Sequence, residues 1–404
     1  MTEPAAVLPF ALGRLPRIDF GAGAFARVPG IVARHGRRVL LVTGTRSLAV
    51  SGRRAALLDG LASAGIVVGG EVSVTAEPSP ALIDAAVAAH RDARIDVVLG
   101  IGGGSVLDAA KAIAGLLRTG TSVLDHLEGV GPELPYPGPA VPVVAVPTTA
   151  GTGSEATRNA VVTERGPAGY KRSFRDERLV PADAVVDPDL LAGATREQIA
   201  ANGLDAVTQL LEAYVSSKAG SMTDALALDG LAAARDGLRA WHADPDGPAG
   251  PAARSRMAYA ALLSGICLAN AGLGGVHGLA APLGARYPVP HGIACGATLA
   301  AVTEANVAAL EGRAPGSRAL AKYATLGRLV AGLPADAPDD EARVALVRTL
   351  AAWTAALDVP GLGRYGLDEA GIAAVVGDAR GSSMRTNPVV LTDEELAGIL
   401  RRSL

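Results

Sequence analysis

The chain has 404 residues, 49% of them hydrophobic and 19% charged, with a formal net charge of -3. That composition is globular, the length suggests two domains, and a core of the size it can bury needs neither metal nor disulfide staples. With no basic stripe and no block of like charges, nucleic acid is excluded as an expected partner.

Residues 1–30, MTEPAAVLPFALGRLPRIDFGAGAFARVPG, carry acid where a secretion signal needs base, and prolines break the apolar stretch. No apolar run is expected to reach the roughly 18 residues of a membrane span; Met257–Ala269, for example, is interrupted by Ser264 and Gly265. The two cysteines, Cys267 and Cys295, lack metal or redox spacing and read as free, buried thiols of a reducing compartment. A soluble, cytoplasmic protein with no membrane partner is expected.

Along the chain, β-branched runs predict strands at Val39–Val42, Ile66–Gly69, Ile95–Leu99, Val141–Val146 and Ala184–Val186, with alanine-rich helical stretches between them. Alternation of that kind builds βαβ units and a largely parallel sheet. The join falls at Val180–Leu191, VPADAVVDPDLL, after which Arg196–Val215, Asp224–Trp241 and Ser255–Asn270 have helical composition and period. Ala243–Pro251 and Leu333–Asp340 read as surface loops.

Three segments carry chemistry. In DVVLGIGGGSVLDAAKAIA (Asp96–Ala114) a buried strand runs through glycines into a helix. Gly102, Gly103 and Gly104 let backbone approach a ligand, Ser105 is placed to cap the helix, and the free N–H groups of its first turn favour an anion such as pyrophosphate. Because this is neither a Walker A loop nor a regular GxGxxG fingerprint, a purely structural turn stays open as the alternative. In PVVAVPTTAGTGSE (Pro142–Glu155), Thr148, Thr149, Thr152 and Ser154 set hydroxyls at the end of another strand, where open α/β sheets bind ligands; a capped turn is the plainer reading. Two such loops in one sheet favour a dinucleotide. The third group is Asp205 and Gln209, four apart on one helix face, with His277 and His291 in the glycine-rich segments GGVHG and PHGIACG. They offer a divalent cation a carboxylate, two imidazoles and an amide oxygen, while ordinary hydrogen-bonded histidines would give the same letters.

GGGSVLDAAKAIA (Gly102–Ala114), PTTAGTGSEAT (Pro147–Thr157), DPDL (Asp187–Leu190), GLDAVTQLLEAYVS (Gly203–Ser216) and GLGGVHGLAAPLGARYPVPHG (Gly272–Gly292) resemble, in order, the iron-containing, or group III, alcohol dehydrogenases. The resemblance implies the fold shared with dehydroquinate synthases. Residues 1–187 would form an α/β N-terminal dinucleotide-binding domain and residues 188–404 an all-α C-terminal domain, with NAD(P) and Fe2+ or Zn2+ in the cleft. The implied reaction is reversible hydride transfer between the nicotinamide and a small aldehyde or alcohol. Carried over by position, Gly102 to Ser105 match the pyrophosphate loop, Thr148, Thr149 and Thr152 the second cofactor loop, and Lys171 a lysine that reaches the cofactor ribose. Asp205, His277 and His291 match metal ligands at the catalytic centre, and Asn159 and Leu268 fall on the substrate side. A homodimer is expected.

Two positions depart from the family pattern. Gln209 stands where the fourth metal ligand is usually His, and Ala281 replaces a second histidine near the nicotinamide. An amide oxygen is the poorer ligand, and loss of the other imidazole removes a proton-relay group. Three protein ligands are still the usual number in a catalytic zinc site. The rival is a metal-free, maleylacetate-reductase-like reduction of an oxo acid, with Arg158, Arg172 or Arg175 polarising the carbonyl. A lyase of the dehydroquinate synthase type and a non-enzymatic nucleotide-binding protein are more distant alternatives. After the strand LLVTG, Gly44 occupies the position where NAD-preferring relatives often carry Asp, and Arg46 follows it. Without that carboxylate a 2′-phosphate is tolerated and Arg46 could pair with it, a slight lean to NADP.

Overall fold

The computed structural model describes residue 7 and residues 10–45, 48, 52–166 and 169–404. Its strands are β1 (Arg17–Phe20), β2 (Arg38–Gly44), β3 (Val67–Val74), β4 (Val97–Gly102), β5 (Val143–Pro147), β6 (Asn159–Glu164), β7 (Tyr170–Arg175) and β8 (Asp183–Val186). Six of them form one sheet in the order β1-β8-β5-β4-β2-β3, every pairing parallel. β4 and β5 are buried throughout, as central strands covered on both faces must be. Alternation along β2 divides its side chains between two cores. Leu40 and Val42 pack with Ile113 and Val98 on one face, whereas Val39 and Leu41 pack with Ile31, Leu57 and Leu61 on the other.

Among the described residues the named helices of this half are α1 (Val28–Val32), α2 (Arg53–Ser63), α3 (Pro80–His90) and α4 (Gly104–Leu116). From β2 the chain first adds β3 on the outside and then crosses back to lay β4 on β2's other side. The order therefore reverses between β2 and β4, and the crevice at the carboxyl ends of such strands is where open α/β sheets bind ligands. Gly44 and Gly102 end the two strands that flank it.

Central strands lie where their apolar runs predict them, whereas the edge strands depart from the pattern. β3 begins at Val67 and runs to Val74, beyond the expected Ile66–Gly69, because an edge strand has no continuous apolar run to mark it. β1 and the antiparallel hairpin β6–β7, paired from Asn159↔Arg175 to Glu164↔Tyr170, were not anticipated. The sequence of β7, YKRSFR, is too charged to read as a buried strand.

The second half is helical: α5 (Arg196–Val215), α6 (Ser221–Ala243), α7 (Gly250–Ala271), α8 (Gly275–Arg286), α9 (His291–Arg313), α10 (Arg318–Ala331), α11 (Asp339–Ala356), α12 (Glu369–Asp378) and α13 (Asp393–Arg402). The two expected loops are shorter than read. Gly250 and Pro251 already open α7, since proline in a first turn forfeits no hydrogen bond, and Asp339 and Asp340 open α11, where acids suit the helix dipole. α5 starts at a capping box between Thr195 and Gln198 and is packed by α6, α7 and α9. Its Asp205, Thr208, Gln209 and Glu212 are buried with the rest, so each needs a partner inside the protein. α9 is apolar and long enough to cross a membrane, contrary to the expectation from the sequence. Yet 67% of its apolar window is buried, the pattern of a core helix.

Candidate active site

Two strand-end loops build the first part of the site. Gly102 pairs with Pro147 across β4 and β5, and the Thr148 N–H donates to the Gly102 carbonyl at 3.0 Å. α4 begins at Gly104 with an extended Gly103 as its N-cap, which corrects the expectation that Ser105 caps the helix: Ser105 is its second residue. The glycines are required by proximity. A Cβ on Gly103 would lie 3.2 Å from the Thr149 side chain, and one on Gly104 would lie 2.6 Å from that of Thr152. The two loops are thus stacked on each other beside the switch point, with Thr148, Thr149 and Thr152 half-buried.

Ser154 does not join them as a ligand hydroxyl, because it donates to Asp108 Oδ1 at 2.6 Å. Lys111, overlooked in the sequence, completes this tie. It is fully buried, lies 3.0 Å from Asp108 Oδ1, and donates to Ser154 O, Thr157 Oγ1 and Asn159 O. A single lysine on an otherwise apolar helical stretch was the available signal. Just before Ser154 the loop meets the helical half at Gly153, whose left-handed backbone (φ 60°) packs directly on Gly265 of α7.

The second part is a cluster of donor atoms. Asp205, Gln209 and Glu212, at i, i+4 and i+7, share one face of α5. α7 and α8 meet at 100°, a turn made at Gly272 (φ 72°), which brings the first turn of α8 back onto that face. There Gly275 N–H donates to Asn387 Oδ1 at 2.9 Å and Val276 N–H to Glu212 Oε1 at 2.6 Å, so two free amides of the helix start are satisfied. His277 follows, with Nδ1 2.7 Å from Glu212 Oε2 and Nε2 3.2 Å from Asp205 Oδ1. His291 is the first residue of α9, and its Nε2 lies 3.7 Å from the same Asp205 oxygen. One turn on, Cys295 Sγ is 3.8 Å from Asp205 Oδ1, 3.8 Å from His277 Nε2 and 3.9 Å from His291 Nε2. Donor atoms of all four residues lie within 4.8 Å of one another.

In the sequence Cys295 reads as a free, buried thiol and Glu212 carries no expected role. Both are legible in hindsight as the i+4 partner of His291 and the i+7 partner of Asp205.

Charge in this pocket is finely set. Burial alone would raise the Asp205 carboxyl, but His291, His277 and Gln209 outweigh it and hold it down at about 2. For His277 burial disfavours the cation, yet Cys295, then Glu212 and Asp205, raise it well above the usual histidine value. His291 is pushed down to about 4 by burial and then by Lys171, and burial pushes the Cys295 thiol up to about 11. Two buried carboxylates beside imidazole and thiol donors make a pocket suited to a cation.

Gln209 sits differently from a ligand. The carboxylate of Asp205 only accepts, so it takes the Gln209 NH2, while the amide Oε1 lies 3.0 Å from the Ser264 hydroxyl. That hydroxyl also lies 3.3 Å from Gly151 O of the second cofactor loop, linking the two parts of the site.

Among the remaining expected residues, Lys171 donates to Glu77 Oε1 at 2.6 Å and its charge reaches His291. Asn159 is half-buried at the start of β6 and accepts from Arg175 Nε at 2.9 Å; Leu268 is half-buried on the last turn of α7. Gly44 is half-buried, and Arg46 lies outside the described residues. Arg158 pairs with Glu177 and Arg175 with Glu128, so both arginines already have anionic partners. Ala281 occupies α8 one turn beyond His277.

The chain matches the model of iron-containing alcohol dehydrogenases over residues 16–188 and that of the C-terminal region of the Fe-containing alcohol dehydrogenase family over residues 199–404. It is 35% identical to alcohol dehydrogenase 4 of Saccharomyces cerevisiae over 297 residues, 72% of this chain and 75% of the yeast protein. It is 30% identical to the NAD-dependent methanol dehydrogenase of Bacillus methanolicus over 391 residues, 96% and 98% of the two chains. Its fold superposes on the crystal structure of a 1,3-propanediol oxidoreductase with a TM-score of 0.85 at 28% identity, covering 98% of this chain and all of the other. These matches support alcohol and aldehyde oxidoreduction with NAD(P) and a divalent metal, and do not favour the oxo-acid alternative. The chain belongs to the iron-containing alcohol dehydrogenase family.

Proposed function

We propose that this chain interconverts a small, uncharged alcohol and its aldehyde, with a slight preference for NADP, at a site where Asp205, His277 and His291 hold Fe2+ or Zn2+. The observation that carries this reading is the convergence of the two imidazoles, each from its own helix, on a single oxygen of a third, Asp205 Oδ1. Oxygen-to-nitrogen separations of 3.2 and 3.7 Å suit it, since bonds of about 2.0 Å in a tetrahedron set donors about 3.3 Å apart. When bound, the cation supplies Lewis-acid polarisation of the substrate oxygen and the nicotinamide carries the hydride.

The protein's own groups prepare the site. Asp205 stays ionised at working pH, Glu212 takes the Nδ1–H of His277 so that Nε2, on giving up its proton, is the nitrogen that would meet the cation, and Gln209 orients Asp205 without coordinating. Gly102 to Gly104 and the start of α4 hold the pyrophosphate, and Thr148, Thr149 and Thr152 flank it. Lys171, anchored by Glu77, has further donors for the ribose. Gly44 presents no carboxylate to a 2′-phosphate. Asn159 and Leu268 border the substrate. With Ala281 unable to titrate, protons would travel through water, a ribose hydroxyl or the neighbourhood of His291, whose buried Nδ1 has no hydrogen-bond partner among the described residues.

In this reading residues 1–187 bind the dinucleotide and residues 188–404 the metal and substrate, in a cytoplasmic homodimer. The experiment is nicotinamide absorbance followed with a panel of aldehydes and oxo acids. Turnover of aldehydes, faster with NADPH than NADH, is expected. Turnover confined to oxo acids and indifferent to chelation would replace this reading with the metal-free one.

A further inference from the structure

We infer that Cys295 is a metal ligand of this protein, supplying as a thiolate the fourth donor that the family usually takes from the histidine replaced here by Gln209. The inference rests on the three-residue metal site proposed above and adds sulfur to it. Two observations carry it. Cys295 Sγ is nearly equidistant from the other three donors, at 3.8, 3.8 and 3.9 Å. With metal–sulfur bonds of about 2.3 Å and metal–nitrogen or metal–oxygen bonds of about 2.0 Å, a tetrahedron separates sulfur from its neighbours by about 3.5 Å. The thiol therefore stands at the position of a fourth vertex, with small adjustments.

The second observation is that the residue at the family's usual ligand position is turned to other work. The Gln209 amide serves Asp205 through its nitrogen and meets Ser264 through its oxygen. The exchange needs no backbone change, because residues four apart on a helix share a face and α9 already delivers His291 to the cluster. One Asp oxygen, two imidazole nitrogens and one thiolate make a softer set than one carboxylate with three imidazoles, and thiolate shifts preference from iron towards zinc.

The test is spectroscopic and independent of turnover. Protein stripped by chelation is titrated with Co2+ alone, and metal content is read beside the near-ultraviolet band that sulfur-to-cobalt charge transfer produces and nitrogen or oxygen ligation does not. Bound cobalt with that band is expected in wild type and in Cys267→Ser, the latter because Cys267 lies away from the cluster beside Thr223 O. In Cys295→Ser the band should vanish, and zinc affinity should fall by more than the roughly 10–100-fold that losing an outer-shell partner costs. X-ray absorption of the zinc form of wild type should show one sulfur at about 2.3 Å among lighter donors at about 2.0–2.1 Å. That measurement decides the matter even if the serine variant fails to fold. Stoichiometric cobalt without the band, or zinc without sulfur, overturns thiolate ligation and leaves the three-residue site intact. Failure to bind either metal overturns the site itself, and the ligand with it.

Discussion

Glu212 grips His277 from two directions: its Oε2 lies 2.7 Å from the ring's Nδ1, and its Oε1 accepts the N–H of the preceding Val276 at 2.6 Å. One buried carboxylate thus caps the start of α8 and fixes the face and tautomer of the imidazole.

Replacing that carboxylate by an amide of the same shape separates the two roles. In Glu212→Gln the carbonyl can still take the Val276 N–H, but an NH2 group then faces Nδ1 and drives the ring proton to Nε2, where the metal needs a lone pair. Metal affinity should fall roughly 10–100-fold with the fold retained, as measured by metal titration alongside thermal unfolding. Unchanged affinity would mean that the tautomer is set elsewhere.

For the cofactor loops the expected result is geometric. Gly103→Val places its Cβ 3.2 Å from Thr149 and pushes the rest of the side chain into the space between the loops. NAD(P)H binding, followed by fluorescence, should weaken at least tenfold, about 1.4 kcal/mol, while unfolding stays cooperative. Wild-type affinity in a folded variant would remove this loop from the site.

Coenzyme preference is tested at the end of β2. Gly44→Asp should lower kcat/KM with NADPH more than with NADH by roughly tenfold or more, because a carboxylate would face the 2′-phosphate at close range. Equal losses with both coenzymes would show that position 44 does not see the ribose.

Much of this was legible in the sequence because the relevant signals are local. Strands β4 and β5 are continuous apolar runs, and the loops after them announce themselves by glycine and threonine. Asp205, His277 and His291 stand out by helix spacing and glycine-rich context, and the family resemblance makes them metal ligands. What stayed hidden depends on where helices cross. Cys295 looked like one more small apolar residue until α9 carried it into contact with Asp205 and His277. Ser154 looked available to a ligand until Asp108, 46 residues earlier in the chain, took its hydroxyl. The Ser105 cap failed for a local reason: an extended glycine can start a helix one residue before any serine is needed.

Glu155 gives the fold a pH dependence of predictable sign. Burial raises its carboxyl to about 7 from an ordinary 4.5, the backbone and Lys111 only partly opposing. Folded protein therefore holds this proton more tightly than the unfolded chain. The resulting stability is fully present below about pH 4.5 and is lost as pH rises through about 7. Glu155→Gln removes the titration. The stability difference between wild type and variant, from urea unfolding at pH 5 and pH 8, should therefore shift by about 2–4 kcal/mol against wild type at the higher pH. A difference that does not change with pH would place the ionised carboxylate in a more polar setting than the structure gives it.

In the proposed function catalysis depends on a cation held by Asp205, His277 and His291, and turnover measured against metal content, before and after chelation, tests that dependence most directly. Wild type should lose aldehyde reduction in proportion to the metal removed and regain it when Fe2+ or Zn2+ is returned, whereas His277→Ala should hold little metal and stay inactive under both conditions. Full wild-type turnover after exhaustive chelation, with His277→Ala keeping that rate, would contradict metal-assisted catalysis at this cluster.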